Sequence, residues 1–108
     1  MQIFAYKNIS MKKDAMYRIT SELAEVLKLM AHPKRLEILL FLHSNKLKKM
    51  KVASVSNGLQ MKQPETSRHL ILMKKSQIIN SHREGTTIIY FLNEENKHTQ
   101  CLLKCLLK

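Results

Sequence analysis

From Asp14 onward, Met16, Ile19, Leu23, Val26, Leu27 and Met30 recur at intervals of three and four, the period of a helix burying one stripe. Pro33 interrupts that run. It disfavours helical geometry at His32 and suits the first turn of a new helix. Between Lys34 and His43, Leu36, Ile38, Leu39, Leu40, Phe41 and Leu42 leave almost no polar side, which predicts the central buried helix. Ser44 to Lys51 is a Lys-dense connector. Val52, Val55 and Leu59 are then spaced for a short helix stopping near Gly58, Leu59 and Gln60. A second short helix is predicted from about Lys62–Pro64 to Ser76, burying Leu70 and Met73. Two short helices joined by a tight turn make a helix-turn-helix unit.

Beyond Ser76 the period changes. Ile78-Ile79 and the run Thr87 to Leu92 are β-branched and aromatic on either side of Gly85, predicting two strands around a turn. His82, Arg83, Thr86 and Thr87 cluster at the tip, which makes the hairpin basic. Asn93 to Lys108 returns to helical spacing, with Leu102, Leu103, Leu106 and Leu107 giving it apolar surface on more than one side. Residues 1–13 show no period and are predicted to be an irregular N-terminal arm. Residues 14–108 then form one mainly α domain with a small β-hairpin, the order of a winged helix-turn-helix.

Composition narrows the partner. Nineteen Lys and Arg against eight Asp and Glu give a net charge of +11, a positive field that attracts polyanions. Double-stranded DNA is the leading partner and an anionic membrane surface the second. The two cysteines, Cys101 and Cys105, lie one helical turn apart near the C-terminus, which is not a disulfide framework and points to a reducing cytoplasm. No signal peptide and no stretch long enough to span a bilayer is read in the chain.

The second short helix has a polar leading half, and its residue types suit a major groove. Gln63 can pair bidentately with adenine, Arg68 with guanine, Glu65 can accept from cytosine, and Thr66 can touch phosphate or a thymine methyl, with Ser67 a further DNA-binding candidate in the same polar half. Lys62 and the free amides of the helix start add phosphate contacts. His69, two turns in, is expected to pack rather than read bases. At the hairpin tip, Arg83 with His82, Thr86 and Thr87 can enter a minor groove or hold phosphate. Glu84 is expected to orient Arg83.

Three segments carry a family resemblance: Ala31-His32-Pro33-Lys34-Arg35-Leu36-Glu37-Ile38-Leu39, Ser67-Arg68-His69-Leu70, and Arg83-Glu84-Gly85 followed by Tyr90. Together they resemble the ArsR/SmtB family of bacterial winged-helix repressors, without a gap from about Glu22 to Leu92. The resemblance implies a symmetric homodimer with the first and last helices at the interface, bound to a short inverted repeat and released when a metal ion or redox change is sensed. Two departures stand out. The family's Ala-Gly-Leu-Val turn is Ser76-Gln77-Ile78-Ile79 here, so Gln77 occupies a position where Gly escapes a steric cost. Lys62 replaces the expected Ser or Thr cap and loses its acceptor.

No sensor is assigned. The segment matching the family's thiolate site, Val52-Ala53-Ser54-Val55-Ser56, has no Cys, His or carboxylate. Glu94, His98, Cys101 and Cys105 fall at spacings of four, three and four, a row that could offer Zn(II) or Cu(I) ligands across a dimer axis. The competing reading is cysteines packed at an interface.

The reading is therefore a homodimeric DNA-binding repressor, the alternative being a winged-helix protein-interaction module that binds acidic partners through its lysines. The polar half of the second short helix opposes that alternative, because a protein-binding face is expected to carry apolar anchors. An enzyme is not expected: there is no carboxylate pair, no phosphate-cradling Gly loop, and Ser67 and His69 point in different directions on one helix.

Overall fold

Five helices and one hairpin follow one another in the computed structural model, which describes residues 12–107: α1 (Lys13–Met30), α2 (Pro33–Ser44), α3 (Val52–Leu59), α4 (Gln63–Lys75), β1 (Ile79–Glu84), β2 (Thr87–Leu92) and α5 (Lys97–Leu106). Residues 1–11 of the expected arm lie outside the described residues. Its last two do not belong to an arm, since Lys12 is the N-cap of α1 and Lys13 its first residue.

α2 sits at the centre, as its apolar circumference requires. Ile38, Leu39 and Leu42 are fully enclosed, and Met30 of α1, Val55 of α3, Leu70 and Met73 of α4, and Ile78 and Ile79 close around them. The Phe41 ring occupies the space a Cβ at position 58 would need, so Gly58 lets α3 lie close against α2. α1 departs from expectation. Of its periodic residues only Val26 and Met30 are buried, while Met16, Ile19, Leu23 and Leu27 remain 39–51% exposed. One turn of the helix packs on the body, and the rest of the stripe stays exposed among the described residues.

The hairpin is longer than its first strand suggested. β1 runs through His82, Arg83 and Glu84, pairing Glu84 with Thr87 and Ile79 with Leu92, and only Gly85 and Thr86 form the turn. Gly85 has φ +64° at the first turn position and Thr86 does not share a positive φ, which fits a type II′ turn. The connector ends in an unexpected anchor: Tyr90 donates its backbone N–H to the Met50 carbonyl at 2.8 Å, a one-residue third strand that ties the hairpin to the body. α5 begins at Lys97 rather than Asn93, because the Asn96 side chain accepts the amides of His98 and Thr99 and caps it there. Leu102, Leu103 and Leu106 pack against the core, Thr99 donates to the Ile78 carbonyl at 2.9 Å, and Leu107 is exposed.

The turn between α4 and β1 is wound as a Gly turn without Gly. Gln77 has φ 66°, Ile78 donates to the Met73 carbonyl at 3.2 Å and Gln77 to that of Lys74 at 2.9 Å, while Met73 and Ile78 are both fully buried in the core. This is a Schellman end, held in place by Asn93, whose side chain donates to the Gln77 carbonyl and whose backbone donates to that of Ile78. The neighbouring helix α3 ends the same way at Gln60, φ 54°. A left-handed residue with a Cβ costs roughly 1–2 kcal/mol, part of which glycine returns as chain entropy. Gln77→Gly is therefore expected to stabilise the protein by about 0.5–1 kcal/mol and raise its midpoint by several degrees in thermal denaturation. An unchanged or lowered midpoint would show that the turn carries no strain.

Candidate nucleic-acid interface

α4 projects from the body beside the hairpin, and an open groove of about 810 Å³ runs between them. The position of each α4 side chain follows from the helical period. Thr66, His69, Leu70 and Met73 make the buried face. Gln63, Ser67, Ile71 and Lys74, three or four residues apart, line the groove. Arg68 is exposed on the neighbouring outer stripe, and Lys62 is exposed at the N-cap, where no side chain bonds the first amides.

The opposite wall comes from the hairpin. Ser81, Thr86, Thr87, Ile88 and Tyr90 line it, and burial pushes the Tyr90 phenol above its ordinary pKa. Because strand side chains alternate, Arg83, which pairs with Ile88, lies on the same face as Ser81 and is exposed there. The floor is the start of α3, where Lys51 is the N-cap without a side-chain bond and Val52 and Ala53 reach the groove. Among the described residues, Lys51, Lys74 and Lys75 thus line the groove and no carboxylate does. Uncapped amides at the starts of α3 and α4 add partial positive charge at two of its corners.

Of the residues singled out in the sequence, Gln63, Ser67, Thr86 and Thr87 line this groove, with Lys62, Arg68 and Arg83 exposed beside it. Three do not belong. Thr66 is 0% exposed and its hydroxyl donates to the Lys62 carbonyl at 3.0 Å, so it closes the first turn of α4 and cannot meet a base. Glu65 is held by Lys34 at 3.0 Å, a bond that with the Lys34 charge keeps its carboxyl below the usual range, and it does not line the groove. His82 faces away from the groove, against Phe91 at 5.5 Å between ring centroids. It bonds Glu84 at 2.8 Å, and Glu84 also takes Lys49 at 2.9 Å, the two contacts that pull its pKa down. Glu84 therefore does not orient Arg83. Alternation puts residues 82 and 84 on one face of the strand and 83 on the other.

The sequence reading missed Lys51, Ile71, Lys74 and Lys75. Steps of four from Gln63 through Ser67 reach Ile71 and Lys75, and a step of three from Ile71 reaches Lys74, so helical spacing would have found the last three. Lys51 was hidden inside a lysine run and is distinguished only by its place at the start of α3.

The C-terminal row does not make a metal site within one chain. Glu94 precedes α5, so the spacing of four to His98 is not helical, and it lies 3.9 Å from Lys46 instead. Cys101 and Cys105 are exposed, and His98 is half-buried. Among the described residues no three His, Cys, Asp or Glu side chains are grouped to hold a metal ion. No helix among them is long and apolar enough to cross a membrane.

Comparison with known proteins points one way. The sequence profile described as bacterial regulatory protein, arsR family, matches residues 32–81. The chain is 30% identical over 87 residues to the transcriptional activator HlyU of Vibrio cholerae, spanning 81% of this chain and 78% of that one. It is 34% identical over 83 residues to the transcriptional repressor PagR of Bacillus anthracis, spanning 77% and 79% of the two. The crystal structure of PagR superposes with a TM-score of 0.68, covering 83% of this chain and 98% of that one at 32% identity. A homodimeric winged helix-turn-helix DNA-binding domain from Mycobacterium bovis has the same fold, with a TM-score of 0.72 at 21% identity and coverage of 92% and 87%.

Proposed function

The chain belongs to the arsR family of bacterial regulatory proteins, and on that premise we propose that it is a homodimeric repressor of transcription that binds a short inverted repeat in double-stranded DNA. The observation that carries the DNA reading is the groove between α4 and the hairpin, lined by three lysines and no carboxylate. α4 enters the major groove. Gln63 and Ser67 face base edges on its groove side and Arg68 on the next stripe, while Ile71 offers an apolar contact to a thymine methyl. Lys51, Lys74, Lys75 and the free amides of α3 hold phosphates, and Thr86, Thr87 and Arg83 carry the contact to the flanking minor groove.

The homodimer follows from the unpartnered surface. Met16, Ile19, Leu23 and Leu27 of α1, and Leu107 just beyond α5, are apolar and exposed in a single chain. A second copy placing the same helices against them buries both sets at once, as a two-fold interface does. Two copies of α4 then read two half-sites, which requires an operator with two-fold symmetry. Occupying a promoter would repress by steric exclusion; PagR is named a repressor and HlyU an activator, so where the operator lies sets the sign.

Selection of duplexes from a randomised pool tests this reading. The expected product is a short sequence with two-fold symmetry, bound as a dimer and displaced poorly by random DNA of equal length. Equal affinity for selected and random duplexes would overturn it.

A further inference from the structure

Arg35 bonds two helices from a third. In the first turn of α2, its Nη1 donates to the Leu29 carbonyl at 3.0 Å and its Nε donates to His69 Nδ1 at 3.0 Å. The Leu29 carbonyl needs such a donor, because its helical partner four residues on is Pro33, which has no N–H. His69 sits on the buried face of α4, 7% exposed, with its ring edge-on to His32 at 4.8 Å. Accepting at Nδ1 from a guanidinium fixes the ring as the neutral tautomer with its proton on Nε2. That Nε2 is buried without a hydrogen-bond partner among the described residues, and the Glu65 carboxylate stands 4.0 Å from it, engaged by Lys34. A buried donor left short of an acceptor costs stability, so the ring is held there by its other nitrogen.

We propose that Arg35 and His69 are positioning residues for DNA recognition: the guanidinium ties the end of α1 to the middle of α4 through a neutral imidazole, and so fixes the pose of the reading helix without touching DNA. The proposal rests on the DNA-binding function assigned above. It has a consequence for pH. The groups facing the ring are Arg35, Lys34 and His32 from α2 and its cap, and Glu65 from α4 itself. Burial, then the Arg35 and His32 charges, push the ring's pKa down, with Glu65 opposing and Lys34 adding to the fall. Because the folded pKa lies below the ordinary 6.5, the clamp is complete above that value. It is lost as pH falls through the depressed folded value, when a second N–H meets the guanidinium.

Two variants separate this role from simple packing. His69→Asn keeps an acceptor near the Nδ1 position and takes no proton; His69→Leu keeps the volume and removes the acceptor. Each is measured against wild type in two ways: the ratio of affinities for a selected duplex and a random one, and amide hydrogen exchange of α4 without DNA. His69→Leu is expected to stay folded, lose about tenfold in the ratio, the scale of one mis-seated base contact, and exchange faster along α4. His69→Asn should restore both, and should hold its ratio as pH is lowered below 6.5 while wild type declines. His69→Leu matching wild type, His69→Asn failing to restore, or superimposable pH profiles would each overturn the proposal. Should the protein select no duplex, the exchange measurement alone decides on the clamp, and only the DNA-binding reading falls.

Discussion

Replacing Leu23 and Leu27 together by glutamate is expected to leave a folded monomer whose operator affinity is about two to four orders of magnitude below that of wild type. Both side chains are largely outside the monomer core, at 40% and 50% exposure, so the body held by Val26 and Met30 is untouched. In a two-fold interface each replacement counts twice. Full burial of a leucine is worth about 1.5–3 kcal/mol and an interface covers roughly the half still exposed, so four lost leucines remove about 3–6 kcal/mol, and four carboxylates brought together add repulsion. The affinity loss has a separate origin. A monomer binds one half-site and forgoes the high effective concentration that its partner's docking confers. Sedimentation velocity reads the first effect and fluorescence anisotropy on the selected duplex the second, with circular dichroism confirming the helices. A variant that stays dimeric, or binds the full operator as tightly as wild type, would remove α1 from the interface.

That prediction shows where the sequence was legible and where it was not. Periodicity found α1, because spacing is local. It could not tell a stripe buried in the chain from one awaiting a partner, since both have the same period. Thr66 is the reverse case. It lies four residues before Leu70 and three before His69, a spacing that fits the buried face, yet its hydroxyl was read as a DNA contact. A threonine can satisfy its hydroxyl on the preceding turn and enter a core, and here it does so on the Lys62 carbonyl. In the hairpin, residue types suggested a basic tip, but strand alternation sends His82 and Glu84 to the side of Lys49 and leaves Arg83 with the groove. The Met50 bridge had no sequence signal, being one apolar residue among lysines whose pairing to Tyr90 is a long-range contact. Gln77 was legible as an anomaly. The structure adds that the turn keeps its winding and bears the cost.

Exchanging Lys51, Lys74 and Lys75 for glutamine should flatten the salt dependence of DNA binding while leaving the preferred sequence intact. These lysines line the groove in each chain and have no carboxylate beside them there. In a dimer they supply six phosphate contacts. At about 0.9 per contact, the slope of log K against log salt should become shallower by about 5. The absolute slope of wild type should be steeper still, since Lys62, Arg83 and the helix-start amides remain, and raising salt from about 50 to 200 mM should cost wild type roughly a thousandfold or more. All three side chains are exposed, so folding is affected only through Lys74 and Lys75 at the C-terminal end of α4, where losing favourable charge costs about 0.3–1 kcal/mol each. Arg68→Ala makes the contrast. A bidentate base contact carries about 1–3 kcal/mol of discrimination, so its loss should reorder sequence preference while changing the slope little. Anisotropy titrations across a salt series, on selected and mismatched duplexes, separate the two. If the triple variant keeps the wild-type slope, the phosphate strand does not run through the groove between α4 and the hairpin. DNA would then have to approach another face of the molecule.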